Sequence, residues 1–126
     1  MKDVCWDSQE GMLPKPPFAV KKTQEGYLEF GQHGVKISVK LPKVPQKDIL
    51  IPYDEIYAAS YVPATKWLKG FLCVREWKER HRPLPRTFWE KSLRDSLIWF
   101  SQKDNDEFCR AYEFLKQCAE INANRK

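Results

Sequence analysis

The spacing of apolar residues changes near residue 100, and this change limits what the chain can fold into more than any other feature. Upstream, apolar and polar residues alternate in short stretches such as Val35, Ile37 and Val39, which is the period of a strand with one buried face. Downstream, apolar residues recur at helical spacing, at Phe108, Ala111, Tyr112, Leu115, Cys118 and Ala119. The sequence therefore predicts a series of short strands followed by one amphipathic helix.

The predicted strands are short and separated by turn residues. Extended patterns occupy the ranges 27–30, 35–40, 48–53, 56–62, 70–77 and 96–100. Between the first two ranges, Gly31 and Gly34 mark a hairpin turn, where glycine is expected because it adopts positive φ without strain. The polar residues of the second range that are expected to face water are Lys36, Ser38 and Lys40. Pro52 lacks an amide proton and restricts the third range to an edge, a bulge or a strand end.

The final helix has a start signal and an unusually wide apolar face. Asp104 followed by Glu107 matches a capping box. Phe114 and Ile121 widen the apolar stripe to about half of the helix circumference, more than packing on a sheet requires. This flank therefore needs a cover. The candidate covers are a symmetric partner and the N-terminal arm, through Phe18 or Leu13.

Length and composition fit one folded domain. The chain has 126 residues, 42% of them hydrophobic and 31% charged with both signs, so it can bury a core without disulfides or a metal. The chain divides into an extended, proline-containing arm at 1–25, a domain at 26–122 with a basic insertion at 78–95, and a tail at 123–126. The expected fold is mainly β (α+β), with about six to seven antiparallel strands curled into a barrel or split sandwich and capped by the C-terminal α-helix.

Several classes of functional site have no signature in the sequence. The four cysteines show no C-x-x-C spacing and there are only two histidines, His33 and His81, so zinc-site spacing is absent. Buried, reduced thiols and a cytoplasmic location are expected. No nucleophile elbow, P-loop or dinucleotide-binding glycine motif occurs, so we expect no enzymatic activity and no cofactor. We also expect no transmembrane segment and no secretion signal, because long apolar runs are missing.

Binding is the function that the composition favours, since the net charge is +5 and aromatic residues are frequent. One candidate patch combines basic and aromatic residues, namely Lys66, Trp67, Lys69, Arg80, Arg82, Arg86 and Trp89. Exposed rings among cations suit single-stranded nucleic acid, whereas a solvated loop with its rings packed under the barrel explains the same residues. Within this segment Thr87 and Glu90 match the capping box of a short helix at 88–94, and a strand through 87–89 fits nearly as well. The helix residues Phe114 and Ile121 form a second candidate surface.

Short motifs over residues 25–121 resemble one known superfold. They are Gly26-Tyr27-Leu28-Glu29-Phe30, Val35-Lys36-Ile37, Ile51-Pro52-Tyr53-Asp54-Glu55-Ile56, Pro63-Ala64, Gly70-Phe71-Leu72, Leu97-Ile98-Trp99-Phe100 and Phe108. In this pattern the chain resembles the pleckstrin-homology superfold. The similarity is greatest to the bacterial pleckstrin-homology-like domains, in particular the small domain of unknown function often found beside short C-terminal oligomerisation segments.

The resemblance implies a non-enzymatic scaffold that binds proteins or, in some eukaryotic relatives, phosphoinositide headgroups. Headgroup-binding members carry a Lys/Arg cluster across the first hairpin, whereas only Lys36 and Lys40 follow the turn here, and the helix lacks the tryptophan of the eukaryotic branch. We therefore expect a cytoplasmic module of this fold that acts through protein–protein contacts, with a partner or as a homo-oligomer. The alternative is polyanion binding, to nucleic acid or anionic lipid, through the basic 78–94 loop.

Overall fold

A computed structural model describes residues 15–94 and 96–125, which form an α+β fold. Its strands are β1 (Val20–Lys22), β2 (Gly26–Phe30), β3 (Gly34–Val39), β4 (Lys47–Pro52), β5 (Ile56–Val62), β6 (Gly70–Glu76) and β7 (Leu97–Phe100). Its helices are α1 (Phe88–Leu93) and α2 (Asn105–Arg125). All six predicted strands are confirmed, as β2 to β7, and β1 adds a seventh within the predicted N-terminal arm.

The strands form two separate antiparallel sheets, ordered β1-β2-β3-β4 and β5-β6-β7. The two sheets do not close into a barrel, which was one of the two forms expected from the sequence beside a split sandwich. The break lies between β4 and β5, because β4 ends at Pro52 and a 3-10 turn at Tyr53–Glu55 redirects the chain before β5 begins. Proline has no amide proton to extend the ladder, so the strand ends there.

Strand β3 buries the apolar positions that the sequence predicted, Val35, Ile37 and Val39. Its polar positions behave less uniformly. Lys40 is exposed and Lys36 is half-buried, but Ser38 is buried, contrary to the expectation. Ser38 is paired with Tyr27 on β2 and with Asp48 on β4, and these larger neighbours cover its small side chain.

The hairpin between β2 and β3 uses its glycines differently from the prediction. No described glycine has a positive φ, so the expected conformation of Gly31 and Gly34 is wrong. Gly34 is required for space instead, because a Cβ atom there would overlap the carbonyl group of Ile51 on β4. The hydroxyl of Tyr53 donates to Gly31 O at 2.6 Å, which ties this turn to the 3-10 turn after β4.

Helix α2 packs mainly on β5 and completes a core built from both sheets. The ring of Phe108 stacks on Phe100 of β7 with 4.3 Å between centroids. Near the end of the helix, the buried side-chain amide of Asn122 donates to Tyr53 O at 2.8 Å and to Ile56 O at 2.9 Å. The predicted amphipathic helix is therefore confirmed, and it is held to the three-stranded sheet at both ends.

The predicted capping boxes have opposite outcomes. At the start of α2 no side-chain hydrogen bond joins Asp104 to Glu107; both carboxylates contact the Lys21 amine instead, at 3.1 and 3.4 Å. At the start of α1 the box does form, since Thr87 Oγ1 accepts from the Glu90 amide and Glu90 accepts from the Thr87 amide, each at 3.0 Å. Of the two structures considered for this segment, the short helix is the correct one.

Candidate functional site

The loop between β5 and β6, residues 63–69, forms a rigid projection that we call the Trp67 loop. Thr65 closes its turn: the Thr65 amide donates to Leu68 O at 2.8 Å. The Thr65 hydroxyl also accepts from the amides of Trp67, at 3.2 Å, and Leu68, at 2.9 Å. Such local side-chain bonds fix a turn without any need for burial of its apolar side chains.

The base of the Trp67 loop is attached to the first turn of α2. The side chain of Asn105 accepts from the Ala64 amide at 2.8 Å and donates to the Ala64 carbonyl at 2.9 Å. The other end of the loop enters β6 at Gly70, where a Cβ atom would overlap the Val62 carbonyl. Lys69 and Glu25 form an ion pair that joins the loop to the turn after β1.

This anchored loop presents its apolar side chains to solvent. Trp67 is 85% exposed and Leu68 is 71% exposed. The amine of Lys66 lies over the Trp67 ring, 5.6 Å from its centroid. Large apolar groups held outward by a hydrogen-bonded loop are typical of contact surfaces.

Helix α1 faces the Trp67 loop from the other side. Its capping box orders the six residues, and hydrogen bonds from the backbone amides of Thr87 and Arg86 hold the pKa of the Glu90 carboxyl below its usual value. The ring of Phe88 leans on Trp99 of β7, with 5.5 Å between centroids, yet Phe88 remains 69% exposed. The helix therefore rests on the sheet by one aromatic contact and leaves most of its apolar surface open.

Between the loop and the helix lies a groove of about 510 Å³, which we call the aromatic groove. Its apolar walls and floor are formed by Leu41, Pro42, Trp67, Leu68, Phe88 and Trp99. Its charged lining residues are Glu25, Lys69 and Lys91. The Lys91 amine lies 4.7 Å from the centroid of the Phe71 ring, which itself packs edge-on against Trp99. The groove is thus apolar along its length and charged only at a few points.

On the opposite side of the Trp67 loop lies a larger hollow of about 820 Å³, which we call the lysine depression. Its cations are Lys21, Lys22, Lys69 and Lys103, and its acids are Glu25 and Asp104. The hydrogen bond with Asp104 raises the pKa of the Lys21 amine above its ordinary value. Within the described ranges no ion pair involves Lys22 or Lys103, so these two charges are available. A smaller hollow of about 380 Å³ at the loop connects Lys66 and Trp67 with Lys103.

The structure brings together only part of the predicted basic and aromatic patch. Lys66, Trp67 and Lys69 lie on one loop, and Trp89 lies on the facing helix, where it is exposed but does not line the groove. The remaining basic residues are the arginines of the 78–94 segment. Arg80 donates to Trp77 O at 2.8 Å and its guanidinium lies over the Trp77 ring, while Arg82 pairs with Glu79.

The other two arginines of that segment, Arg86 and Arg94, differ in their exposure. Arg86 is exposed and its backbone amide donates to Glu90 at 3.0 Å. Arg94 is buried and donates to Pro83 O at 2.7 Å. Three of the four arginine side chains in the 78–94 segment therefore already bind a neighbouring carbonyl or carboxylate group.

The second predicted surface, Phe114 and Ile121 on α2, is largely covered. Phe114 is 6% exposed and packs edge-on against Phe30 and Tyr53. Ile121 is half-buried against the core. Phe18 packs on Phe30 with 5.3 Å between centroids, so the N-terminal arm contacts the same aromatic cluster. Leu13, the other arm residue considered, lies outside the described residues.

Sequence reasoning did not identify several of the residues that line the aromatic groove and the lysine depression. Leu68 and Trp99 line the groove and Lys22 and Lys103 line the depression, and none of these four was among the predicted binding residues. The signal for Leu68 was present, since Lys66-Trp67-Leu68-Lys69 places two adjacent large apolar residues between cations in a loop. No local pattern connects Phe88 with that loop.

The groove and the depression are surfaces for binding. The buried thiols lie apart from them, and their pKa values are shifted by burial in the core. Burial raises the pKa of the Cys118 thiol to about 12 and that of Cys73 above its ordinary value. Residues 15–94 and 96–125 contain no group of three or more His, Cys, Asp or Glu side chains placed to hold a metal. The same ranges contain no helix with the length and hydropathy needed to span a bilayer.

Comparison with known proteins identifies no relative. No protein-family model matches the chain, no curated protein matches its sequence and no solved structure matches its fold. The chemistry of the site therefore has to be inferred from its own residues.

Proposed function

We propose that this chain is a non-enzymatic binding module of pleckstrin-homology-like fold, which receives an apolar segment of a protein partner in the aromatic groove. The observation that carries the proposal is the convergence of Trp67, Leu68 and Phe88, all more than two-thirds exposed, on one groove. Single exposed apolar residues are common on protein surfaces, but several around a concave site are a mark of interaction sites.

The fold component of the proposal is supported by the order of the elements. A four-stranded antiparallel sheet precedes a three-stranded one, and α2 follows β7 directly and packs over the core between them. The number of antiparallel strands and the helix that follows them agree with the expectation from the sequence, which did not include the division into four and three strands. The unclosed edge between β4 and β5 is the feature in which the fold departs from a continuous barrel.

A protein partner fits the charge distribution better than a polyanion at the 78–94 segment. Binding of nucleic acid requires several basic side chains that are free to contact phosphates. In this segment Arg80, Arg82 and Arg94 already bind neighbouring carbonyl or carboxylate groups. The exposed surface beside them is apolar, because Phe88 and Trp89 on α1 are 69% and 59% exposed.

Hydrogen bonds already order the Trp67 loop, so we expect a partner to bind the groove without a large cost in loop ordering. Association loses free energy when loops and side chains must be ordered, and a loop already fixed by hydrogen bonds avoids much of that cost. A tryptophan at such a position is typical of interface hot spots, at which truncation to alanine costs about 2 kcal/mol or more. We expect Trp67 to be this residue.

The test is selection of a random 12-residue peptide display library on the immobilised protein, followed by affinity measurements on the selected peptides by fluorescence anisotropy. We expect peptides with one or two large apolar residues, and an affinity loss of about 30-fold or more in Trp67→Ala. Leu50→Ser is the matched control, because Leu50 is also exposed but lies on β4 away from the groove. It should leave the affinity unchanged.

Two outcomes would contradict the proposal. One is a selection that yields no peptide whose binding depends on Trp67 or Phe88. The other is wild-type protein that light scattering shows to be a dimer across a dilution series and that Trp67→Ala converts to a monomer, because a second copy would then occupy the groove.

A further inference from the structure

The Trp67 loop separates two surfaces of different chemistry. Trp67 and Leu68 line the aromatic groove and the smaller hollow, Lys66 lines the smaller hollow, and Lys69 lines both of these and the lysine depression. Both cavities share Glu25 and Lys69 as lining residues. A segment that lies across the loop would therefore contact apolar groups and cations in immediate succession.

The depression has more positive charge than its own acids neutralise. Asp104 and Glu107 bind Lys21, and Glu25 binds Lys69. This leaves Lys22 and Lys103 exposed and without an ion pair in the described part of the chain, with the Lys66 amine close by over the Trp67 ring. The hydroxyl of Ser101 also lines the depression and can donate a hydrogen bond to an anion, whereas the Thr23 hydroxyl donates to Gly26 O at 3.4 Å.

From this juxtaposition we infer that the bound partner segment carries acidic side chains next to its apolar anchor, and that their carboxylates bind Lys22 and Lys103 in the lysine depression. The inference rests on the proposed function, since it names the chemistry of the segment that enters the aromatic groove. It assigns the depression as a second part of the same binding site.

Carboxylates suit the depression better than densely spaced phosphates. Glu25 and Asp104 are also part of its lining, and both would repel a row of closely spaced phosphodiesters, each of which carries one negative charge. A peptide places single negative charges at intervals and can direct them to Lys22 and Lys103. A membrane or nucleic acid surface presents its charges continuously and would bring some of them against these acids.

The expected contribution of the acidic groups is modest, because the lysines are exposed and solvent screens their attraction. Two such pairs should together tighten binding by about three- to tenfold at low ionic strength. The advantage should shrink in high salt. The apolar contacts with Trp67 and Phe88 should not show this salt dependence.

The experiment repeats the random 12-residue display selection on wild-type protein and on the double variant Lys22→Glu, Lys103→Glu. A control variant of equal net charge carries Lys15→Glu and Lys116→Glu, because both of these lysines are exposed and line neither cavity. We expect wild type and control to select apolar peptides enriched in Asp and Glu, and the Lys22/Lys103 variant to lose the acidic enrichment while keeping the apolar one. Replacing the acids of a selected peptide with Gln or Asn should weaken its binding to wild type by about three- to tenfold.

The outcomes separate this inference from the proposed function. Selected peptides that depend on Trp67 but lack acidic enrichment would overturn the inference and leave the proposed function standing. A selection without any peptide that depends on Trp67 or Phe88 would overturn the proposed function. Sedimentation with phosphatidylserine vesicles that depends on Lys22 and Lys103, in the absence of any acidic preference among peptides, would assign the depression to a lipid surface and contradict the inference.

Discussion

Two aromatic clusters of this protein have similar composition and opposite exposure. Beneath α2, Phe100 and Phe108 stack at 4.3 Å, and Tyr61 stacks on both Phe100 and Tyr112. On the outer face of the three-stranded sheet, Phe88, Phe71 and Trp99 contact one another in a chain of rings 5.5 to 5.9 Å apart. The first cluster is closed by a 21-residue helix, whereas the second is partly covered by a helix of six residues.

The difference separates the side of the sheet that stabilises the fold from the side to which we assign binding. Helix α2 buries six residues, including Phe108 and Leu115, while α1 buries only Ser92. Burial of apolar surface is the main favourable contribution to folding, so the α2 side holds the fold together. On the α1 side Phe88, Trp89 and Leu93 remain exposed, and this is the surface that the proposed partner segment would bury.

The largest expected effect tests the closed cluster. Phe108→Ala removes a fully buried ring stacked on Phe100 and should lower the free energy of unfolding by about 3–5 kcal/mol. Urea denaturation followed by circular dichroism measures this. The matched control is Phe88→Ala in the open cluster, which should cost less than about 1 kcal/mol because the ring is mostly exposed. Similar losses for both variants would show that the clusters do not differ as the comparison requires.

The closed side of the protein was largely predictable from the sequence, because local periodicity encodes burial. Val35, Ile37 and Val39 alternate along β3, and Phe108, Ala111 and Leu115 recur at helical spacing along α2. The spacing within each element therefore predicts which of its faces is buried. Alternation does not specify which strands pair. The division into two sheets follows because β4 and β5 do not pair, and the sequence reports only the strand end at Pro52 and not the change of sheet.

The open side was only partly predictable, because it is assembled from segments about 20 residues apart. Trp67 was singled out from its lysine neighbours, and the capping box identified α1. The distance between Trp67 and Phe88 in the sequence gives no indication that the two line one groove. For the arginines, the sequence predicted a binding role that their contacts make less favourable. It shows that Arg80 and Arg82 are charged, but it does not show that Trp77 O and Glu79 already bind them.

An intermediate effect is expected where the two sides are connected. Asn105 begins α2 and holds the Trp67 loop through two hydrogen bonds to Ala64, whose backbone is covered. Asn105→Ala should lower stability by about 1–3 kcal/mol, since it leaves the Ala64 amide and carbonyl without these partners. It should also weaken peptide binding, because the loop must then be ordered on association.

The two consequences of Asn105→Ala can be measured separately. Urea denaturation gives the stability, and anisotropy with a groove-binding peptide gives the affinity at a temperature at which the variant is folded. Asn105→Asp keeps the acceptor for the Ala64 amide but cannot donate to the carbonyl, so it should fall between wild type and Asn105→Ala. Full affinity in Asn105→Ala would mean that the loop does not need this attachment to present Trp67.

The smallest expected effect concerns α1, the cover of the open cluster. The Glu90 carboxylate accepts hydrogen bonds from the Arg86 and Thr87 amides, and these bonds depress its folded-state pKa. A depressed pKa means that the bonds stabilise α1 fully above the unfolded-state pKa of about 4.3 and are lost as the pH falls through the lower, folded-state value. Thr87→Ala removes the other half of the box and should cost about 1 kcal/mol of α1 stability at any pH.

Because α1 is far shorter than a helix that is stable alone, this small loss should appear as faster amide hydrogen exchange confined to 86–93. The amide shifts of Arg86 and Thr87 in wild type should titrate with the Glu90 carboxyl below the pKa of an ordinary glutamate, and Glu90→Gln should abolish that titration. Groove affinity should fall by less than about fivefold in Thr87→Ala, because Phe88 keeps its contact with Trp99 when the helix frays. Exchange rates unchanged by Thr87→Ala would show that the Phe88 contact alone, and not the capping box, orders the open side.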